Sequence, residues 1–254
     1  MIVVLFGGAL AGALRTSLQP LDGPVSLQTW RELLADPAFG QALGFTAGIA
    51  GLATAASAIL ALAIALVLRR HGGALRALLA LPVPVPHLLV AVVAVLWLAP
   101  GGLAERLLGV LPVDLVHDRA GLGIVAVYVY KETPFLVLLL LAAAGRGLAQ
   151  REEMAAALGV SRAQRLRWVI WPALRGPLVV GSIVVAAFVL GAFEVPQVVG
   201  PTSPLTVAEY ARQATENDLI GGEGLRAAAL LVCAAAAIAL AALAVRLAKD
   251  VDGR

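Results

Sequence analysis

Residues 37–68 read PAFGQALGFTAGIAGLATAASAILALAIALVL and contain no Asp, Glu, Lys, Arg or His. A helix rises about 1.5 Å per residue, so crossing a hydrocarbon core about 30 Å thick takes about 20 apolar residues. This stretch is longer than that. Its apolar residues run continuously rather than in alternation, which specifies a membrane-crossing helix and argues against a barrel strand. The pattern recurs along the chain. Residues 77–103 carry only His87, and residues 176–193 and 227–245 carry no charged residue or histidine. Of the 254 residues 61% are hydrophobic and 14% charged, where a soluble domain carries about 25% charged. The mean hydropathy is +0.93. The expected fold is therefore all-α, in a polytopic membrane protein.

Six spans are expected, at residues 2–18, 41–68, 77–98, 121–144, 174–199 and 225–247. The first is short, Gly-rich and interrupted by Arg15. A secretory leader would need basic residues ahead of its apolar run. None precedes this one, so it is expected to be a retained span.

Orientation follows from the basic residues of the loops. One side receives Arg69, Arg70, Arg76, Arg146, Arg151, Arg162, Arg165, Arg167, Arg175, Arg246, Lys249 and Arg254. The other receives only Arg15, Arg31, Arg106, Arg119, Arg212 and Arg226, with acids that include Asp114, Asp118, Glu216 and Asp218. Both termini and the segment around Glu153 are thus expected in the cytoplasm, and the loops around Asp22, Asp114 and Asp218 outside.

Cysteine and histidine contribute no chemistry to the reading. Cys233 stands alone inside an apolar run and reads as a packing residue. His71, His87 and His117 are too scattered for a metal-ligand set. The third span opens with Pro82, Pro84 and Pro86, which remove backbone donors at alternate positions. Irregular backbone at membrane depth must face protein or water. Either a bent helix start or an irregularity lining a pore is consistent with that.

Between the fourth and fifth spans lies the one polar segment with defined punctuation, residues 146–172. Strong helix formers run from Arg146 to Leu158, with Met154, Ala157 and Leu158 spaced to share a face. Gly159 fits the left-handed residue that ends a helix. Ser161 fits an N-cap, and Gln164 completes a capping box. A second helix is expected from Arg162 to about Trp171, with Pro172 re-orienting the chain into the fifth span. This would be a helix–turn–helix elbow along the membrane surface. Arg162, Arg165 and Arg167 could meet anionic headgroups, worth about 1 kcal/mol each. On these residues alone the elbow is either an interfacial anchor or a docking surface.

Three charges remain within the spans: Lys131, Glu132 and Glu194. A charge at the bilayer centre costs roughly 2.5–3.5 kcal/mol on insertion scales, so each requires protein or water around it. Lys131 and Glu132 point about 100° apart on a helix and do not satisfy each other. One expectation pairs Lys131 with Glu194 across the fourth and fifth spans. The other places Lys131, Glu132 and Glu194 along a translocation path, with Pro196 breaking the helix beside Glu194.

Glu153, Ala155, Gly159, Val169 and Pro172 stand at the spacing of the EAA motif, Glu-Ala-Ala-x3-Gly-x9-Ile-x-Leu-Pro. The chain thereby resembles, over nearly its whole length, the inner-membrane permease subunits of bacterial ATP-binding-cassette importers. Met154, Val169 and Trp171 depart from the motif but stay apolar. The resemblance implies one transmembrane permease domain over residues 1–254, in which residues 146–172 carry a coupling helix. It implies that Glu153, Ala155, Ala156 and Gly159 form the surface that meets an ATPase subunit. The implied partners are two cytoplasmic ATPase subunits that bind ATP and Mg, a second permease subunit (identical or related), an extracytoplasmic solute-binding protein and the lipid bilayer. No nucleic acid is among them, no cofactor belongs to this chain, and the place is the cell inner membrane. The stretches Tyr130–Phe135 and Phe193–Pro196 are similar to the branch that serves polyamines, ferric iron, thiamine, sulfate or phosphonates, whose cargo charges are mixed. Acidic outer loops favour a cationic solute.

No Gly-x4-Gly-Lys-Ser/Thr loop is present. Lys131 is followed by Glu132 and Lys249 by Asp250, so ATP hydrolysis is expected from another polypeptide. The rival class is a secondary transporter driven by an ion gradient through the intramembrane acids, needing neither an ATPase nor Glu153. An intramembrane enzyme would need a catalytic pair at membrane depth. Ser182 has no histidine in a matching motif.

Overall fold

The computed structural model describes residues 2–19, 23–69, 73–109, 115–218 and 222–252. Asp22, Arg70, His71, Asp114 and Arg254 lie outside them. The described residues are helical and carry no strand. Five helical stretches are long and apolar enough to cross a membrane: Pro37–Leu68, His87–Leu108, Leu122–Gly145, Arg162–Gly191 and Gly222–Lys249. Helix α1 (Ile2–Leu18) is apolar as expected, but its 17 residues reach only about 26 Å, short of a full hydrocarbon core. It packs along α12 (Gly222–Asp252) and on α2 (Gln28–Ala35).

Helix α3 (Pro37–Leu68) begins four residues before the expected start at Gln41 because Asp36 and Pro37 form a start signal. The Asp36 carboxylate accepts the N–H of Ala38 at 2.8 Å, and proline fits the first turn, where no donor is needed. The buried stripe of α3 runs through Ala42, Thr46, Ala50, Ala53, Ser57, Ala61 and Ala65. Small residues every three or four positions let neighbouring backbones approach closely. Against that stripe pack α7 (Leu122–Ala157) and α9 (Trp171–Gly191). The membrane part of α7 is the most buried of the five crossings, with Ile124, Tyr128, Leu136, Val137 and Leu140 inside. Gly181 brings α9 onto α7: a Cβ there would meet Leu139 Cδ2 at 2.5 Å and Leu136 Cδ2 at 2.8 Å.

The third expected span, 77–98, is two helices. α4 (Gly73–Ala80) and α5 (His87–Leu98) are separated by turns over residues 81–85, and α6 (Leu103–Leu108) follows. The cause is local. The carbonyls of Leu78, Ala80 and Pro82 stand four residues before Pro82, Pro84 and Pro86, which have no N–H to give. Each turns instead to the residue three on: Leu81 N–H to Leu78 O at 3.3 Å, Val83 to Ala80 at 3.1 Å, Val85 to Pro82 at 3.3 Å.

The fifth span also differs from the expected 174–199. A short helix, α8 (Arg162–Arg165), runs through a wide π-turn, Leu166–Ile170, straight into α9. Pro172 does not re-orient the chain. Its ring excludes the carbonyl four residues back, and the preceding turn opens so that Trp171 N–H bonds Leu166 O, five residues back. At the far end the helix stops before Pro196 rather than at it. Ala192 is extended (φ −77, ψ 142), and α10 (Glu194–Val199) then carries Pro196 in its first turn. Ala192 is the residue four before Pro196, where the ring forbids a helical carbonyl.

The acidic face holds structure that composition does not suggest. The amphipathic helix α11 (Val207–Asn217) opens with a capping box between Thr206 and Glu209. Val207 N–H donates to Thr46 Oγ1 at 2.9 Å and Tyr210 donates its hydroxyl to Asp36 at 2.6 Å. Burial, then the Asp36 carboxylate, holds the Tyr210 phenol above its ordinary range. Leu33, Phe39, Val207, Ala228 and Cys233 form the small core beneath it.

Gly181→Leu should overpack the α7–α9 contact and destabilise the protein by about 1–3 kcal/mol. Thermal unfolding of the detergent-solubilised variant measures this, and an unchanged midpoint would show that α9 does not depend on the close approach.

Candidate functional site

Lys131 and Glu132 lie in the middle of α7, 4% and 8% exposed. Lys131 does not reach Glu194. Its Nζ donates to the carbonyls of Pro82 at 2.8 Å, Val83 at 3.0 Å and Val85 at 2.7 Å. The ammonium donates to carbonyls that the proline break turns toward it, and three carbonyl dipoles replace the water it gives up. That environment is more complete than a single carboxylate would provide, which is why the expected ion pair is not formed. Glu132 holds the other side of the same break: its Oε1 lies 2.8 Å from Nε2 of His87, the first residue of α5. The 100° between the two side chains thus lets one helix grip both ends of a broken one.

Around His87 the rings of Phe188 and Tyr128 gather, at centroid distances of 4.7 and 6.3 Å. This joins α5, α7 and α9 at one level. The Tyr128 hydroxyl is buried without a hydrogen-bond partner. Glu194 is exposed and no described residue forms an ion pair with it. Pro196 is buried beside it. Of the expected path residues, then, Lys131 and Glu132 are drawn together onto the break, while Glu194 presents its carboxylate to the surroundings. The remaining described histidine, His117, sets Nδ1 2.7 Å from Gly200 O.

The second constellation is the elbow. Gly145 (φ 46, ψ −173) interrupts α7, so residues 146–157 form a separate rigid piece. That piece ends as the sequence specifies. Gly159 is left-handed at φ +78. Its N–H bonds Ala156 O, and Val160 N–H bonds Ala155 O, each at 3.0 Å. This is the paired closure of a Schellman motif. Ser161 then caps α8, with Gln164 completing the box. The motif residues part by face. Glu153, Ala156 and Gly159 are exposed, Ala155 and Val169 half-buried, and Pro172 exposed. Met154 and Leu158 stand 60% and 83% exposed, leaving an apolar face uncovered.

Glu152, the neighbour of Glu153, turns the other way. It is 7% exposed and accepts both terminal nitrogens of Arg69, the C-cap of α3. A cavity of about 580 Å³ opens here, walled by Arg69, Arg76, Gly145, Glu152, Glu153 and Arg165. Arg165 lines this cavity, and its Nε and that of Arg76 are buried without a hydrogen-bond partner. The Arg69–Glu152 pair is absent from the sequence reading. Its one trace there is that Glu152 follows Leu148 by four positions and so shares its face, and Leu148 is buried.

Residues 53–254 match the family described as the binding-protein-dependent transport system inner membrane component. The inner membrane ABC transporter permease protein YnjC of Escherichia coli (strain K12) is 29% identical over 223 residues, which cover 86% of this chain and 42% of that protein. The chain therefore spans less than half the length of this relative. Among solved structures, a bacterial alginate ABC transporter in complex with an alginate pentasaccharide-bound periplasmic protein matches with a TM-score of 0.78 at 16% identity, over 99% of this chain and 90% of the other. A bacterial ABC transporter involved in the import of the acidic polysaccharide alginate matches with 0.74 at 17%, over 98% and 91%. At those identities the likeness is one of fold.

Lys131→Met should leave the carbonyls of Val83 and Val85 without this donor and Pro82 O with only its bond from Val85 N–H, and cost about 2–4 kcal/mol, since hydrogen bonds to charged groups are worth about 1.5–3 kcal/mol and unsatisfied buried acceptors are costly. The amount of protein in the membrane and its unfolding midpoint in detergent measure this. Wild-type values for both would show that the break stands without its clamp.

Proposed function

The chain belongs to the binding-protein-dependent inner membrane transport component family, and on that premise we propose that it is the membrane-spanning permease subunit of an ATP-driven solute importer. It crosses the inner membrane several times and forms half of the translocation pathway beside a second permease subunit. Two cytoplasmic ATPase subunits bind ATP and Mg, and this chain hydrolyses no ATP itself. An extracytoplasmic solute-binding protein delivers the cargo. Both termini and the elbow lie in the cytoplasm, and α11 lies on the opposite face.

The observation that carries this reading is the elbow itself. A surface helix without a partner gains nothing from exposing Met154 and Leu158. A helix that seats in a groove of another protein gains their burial, about 25 cal/mol per Å² of apolar surface removed from water. Glu153 offers the seat a charged contact. The backbone stop at Gly159 fixes the angle at which the piece is presented, and a push delivered there enters α9 through the unbroken run of α8 and the π-turn. Each state of such a machine must bind its partners differently, or the equilibrium does not move. Inside the membrane, Glu194 is the candidate contact along the path. It is exposed at the break between α9 and α10, which Pro196 imposes. Lys131 and Glu132 serve the path by holding the third crossing in its broken form.

Glu153→Lys reverses the docking charge. Gly159→Val forces a β-branched residue into a left-handed backbone at a cost of about 1–3 kcal/mol. Both should insert normally yet lose the stimulation of ATP hydrolysis that the loaded solute-binding protein produces in the reconstituted complex. Normal stimulation in both variants, or transport with no ATPase attached, would remove this reading in favour of an ion-gradient carrier.

A further inference from the structure

Besides the packing of Leu148 into the main core, the described residues join the elbow to the rest of the protein at three places, and these differ in stiffness. Its backbone continues into the membrane part of α7 only through Gly145, whose dihedrals are not helical. A helix interrupted by one residue with positive φ does not act as a rod across the interruption. On its other side the elbow joins α8 through the turn at Gly159. The third connection is made by side chains. Arg69 closes α3, and its Nε donates to Leu66 O at 3.2 Å, fixing the guanidinium to the last turn of that helix. Both terminal nitrogens then hold the Glu152 carboxylate, one of them at 3.3 Å. The two side chains are largely buried. A planar fork gripping a carboxylate at two points fixes orientation as well as distance. The Arg69 carbonyl in turn accepts Arg76 Nη2 at 3.4 Å, tying in α4, which leads to the proline break that Lys131 clamps.

We propose that the Arg69–Glu152 fork, and not the backbone of α7, is the strut through which movement of the elbow enters α3 and the third crossing. The inference rests on the reading of the elbow as the ATPase docking piece, and it deepens that reading. Glu153 faces outward to receive the push, and Glu152, one position before it, passes it inward. The two adjacent carboxylates divide the work because consecutive helical residues point about 100° apart. Both Glu152 and Arg69 are positioning residues in this scheme, since neither touches solute or nucleotide. The helix they move carries the small-residue stripe against α7 and α9, so a shift of α3 reaches both.

The test uses the complete complex in lipid vesicles, with nitroxide labels at Ile59→Cys on α3 and Leu243→Cys on α12, both exposed. The probe is ATP with orthovanadate, which requires no knowledge of the cargo. The decisive variant is Arg69→Met combined with Glu152→Leu. Replacing a buried pair by apolar residues of similar size is often neutral for stability, whereas removing one partner strands a charge. The double variant should accumulate and assemble like wild type. Its nucleotide-driven distance change, and the stimulation of ATP hydrolysis by loaded binding protein, should fall on the order of fivefold or more. A full distance change and full stimulation in that variant overturn the proposal. Should it not accumulate, the reversed pair Arg69→Glu with Glu152→Arg decides. Recovery above each single reversal supports the strut, and no recovery at wild-type membrane level overturns it. A wild-type complex that shows no nucleotide response at all would instead sink the importer reading, a distinct result.

Discussion

A helix in a bilayer must find a protein partner for every backbone carbonyl, because lipid offers none. Pro82, Pro84 and Pro86 break that condition three times within one turn and a half of the third crossing. The i+3 turns re-bond the three carbonyls so deprived, and Lys131 donates to Pro82, Val83 and Val85 within the break that results. The arrangement solves two problems at once: the ammonium at membrane depth requires acceptors and the carbonyls require donors. Without the lysine the segment would have to close into a regular helix, which the prolines forbid. Without the prolines the lysine would be an unpaired charge. The third crossing, the position of α5 and the ring cluster of His87, Tyr128 and Phe188 all follow from this mutual satisfaction.

The same logic of paired defects runs through the rest of the chain. Pro172 is absorbed by a π-turn and leaves α8 continuous with α9. Pro196 is absorbed by ending α9 at Ala192 and starting α10, which leaves Glu194 exposed at a discontinuity. Where the chain must be stiff it is capped. The elbow closes with the double hydrogen bond at Gly159 and restarts with the box at Ser161. Where it must turn, Gly145 supplies a conformation that other residues avoid. Stiff pieces joined at defined points convert a push at one face into displacement of whole helices, and a family of binding-protein-dependent transport components is a natural home for such a construction.

Much of this was legible beforehand. The apolar runs marked the crossings at α3, α7, α9 and α12 because continuous hydrophobicity leaves no alternative to a buried or lipid-facing helix. Gly159, Ser161 and Gln164 were read correctly because caps are local: three or four residues contain all the partners. Proline effects were read in kind but not in place. The ring acts on the carbonyl four residues earlier, so the end of α9 falls at Ala192 and the strain of Pro172 at the π-turn. The amphipathic helix α11 is not legible from hydropathy, since its polar face obscures the buried stripe that fits on Thr46 and Asp36.

Sequence alone determined that this is a helical membrane protein with one punctuated polar elbow, and that its three intramembrane charges need protein or water around them. Both conclusions depend on chemistry within a few residues or on the solvent, and neither needs a second helix. Which partners Lys131 and Glu132 take, and that Glu194 stays exposed, were decided by tertiary structure. Lys131 lies 46 to 49 positions from its carbonyls and Glu152 lies 83 from Arg69, so only the packing of α7 against α3 and the broken crossing brings them within reach. A pairing chosen on depth and sign, Lys131 with Glu194, omits the backbone as a competitor. Three carbonyls at hydrogen-bond distance satisfy an ammonium more fully than a carboxylate on another helix.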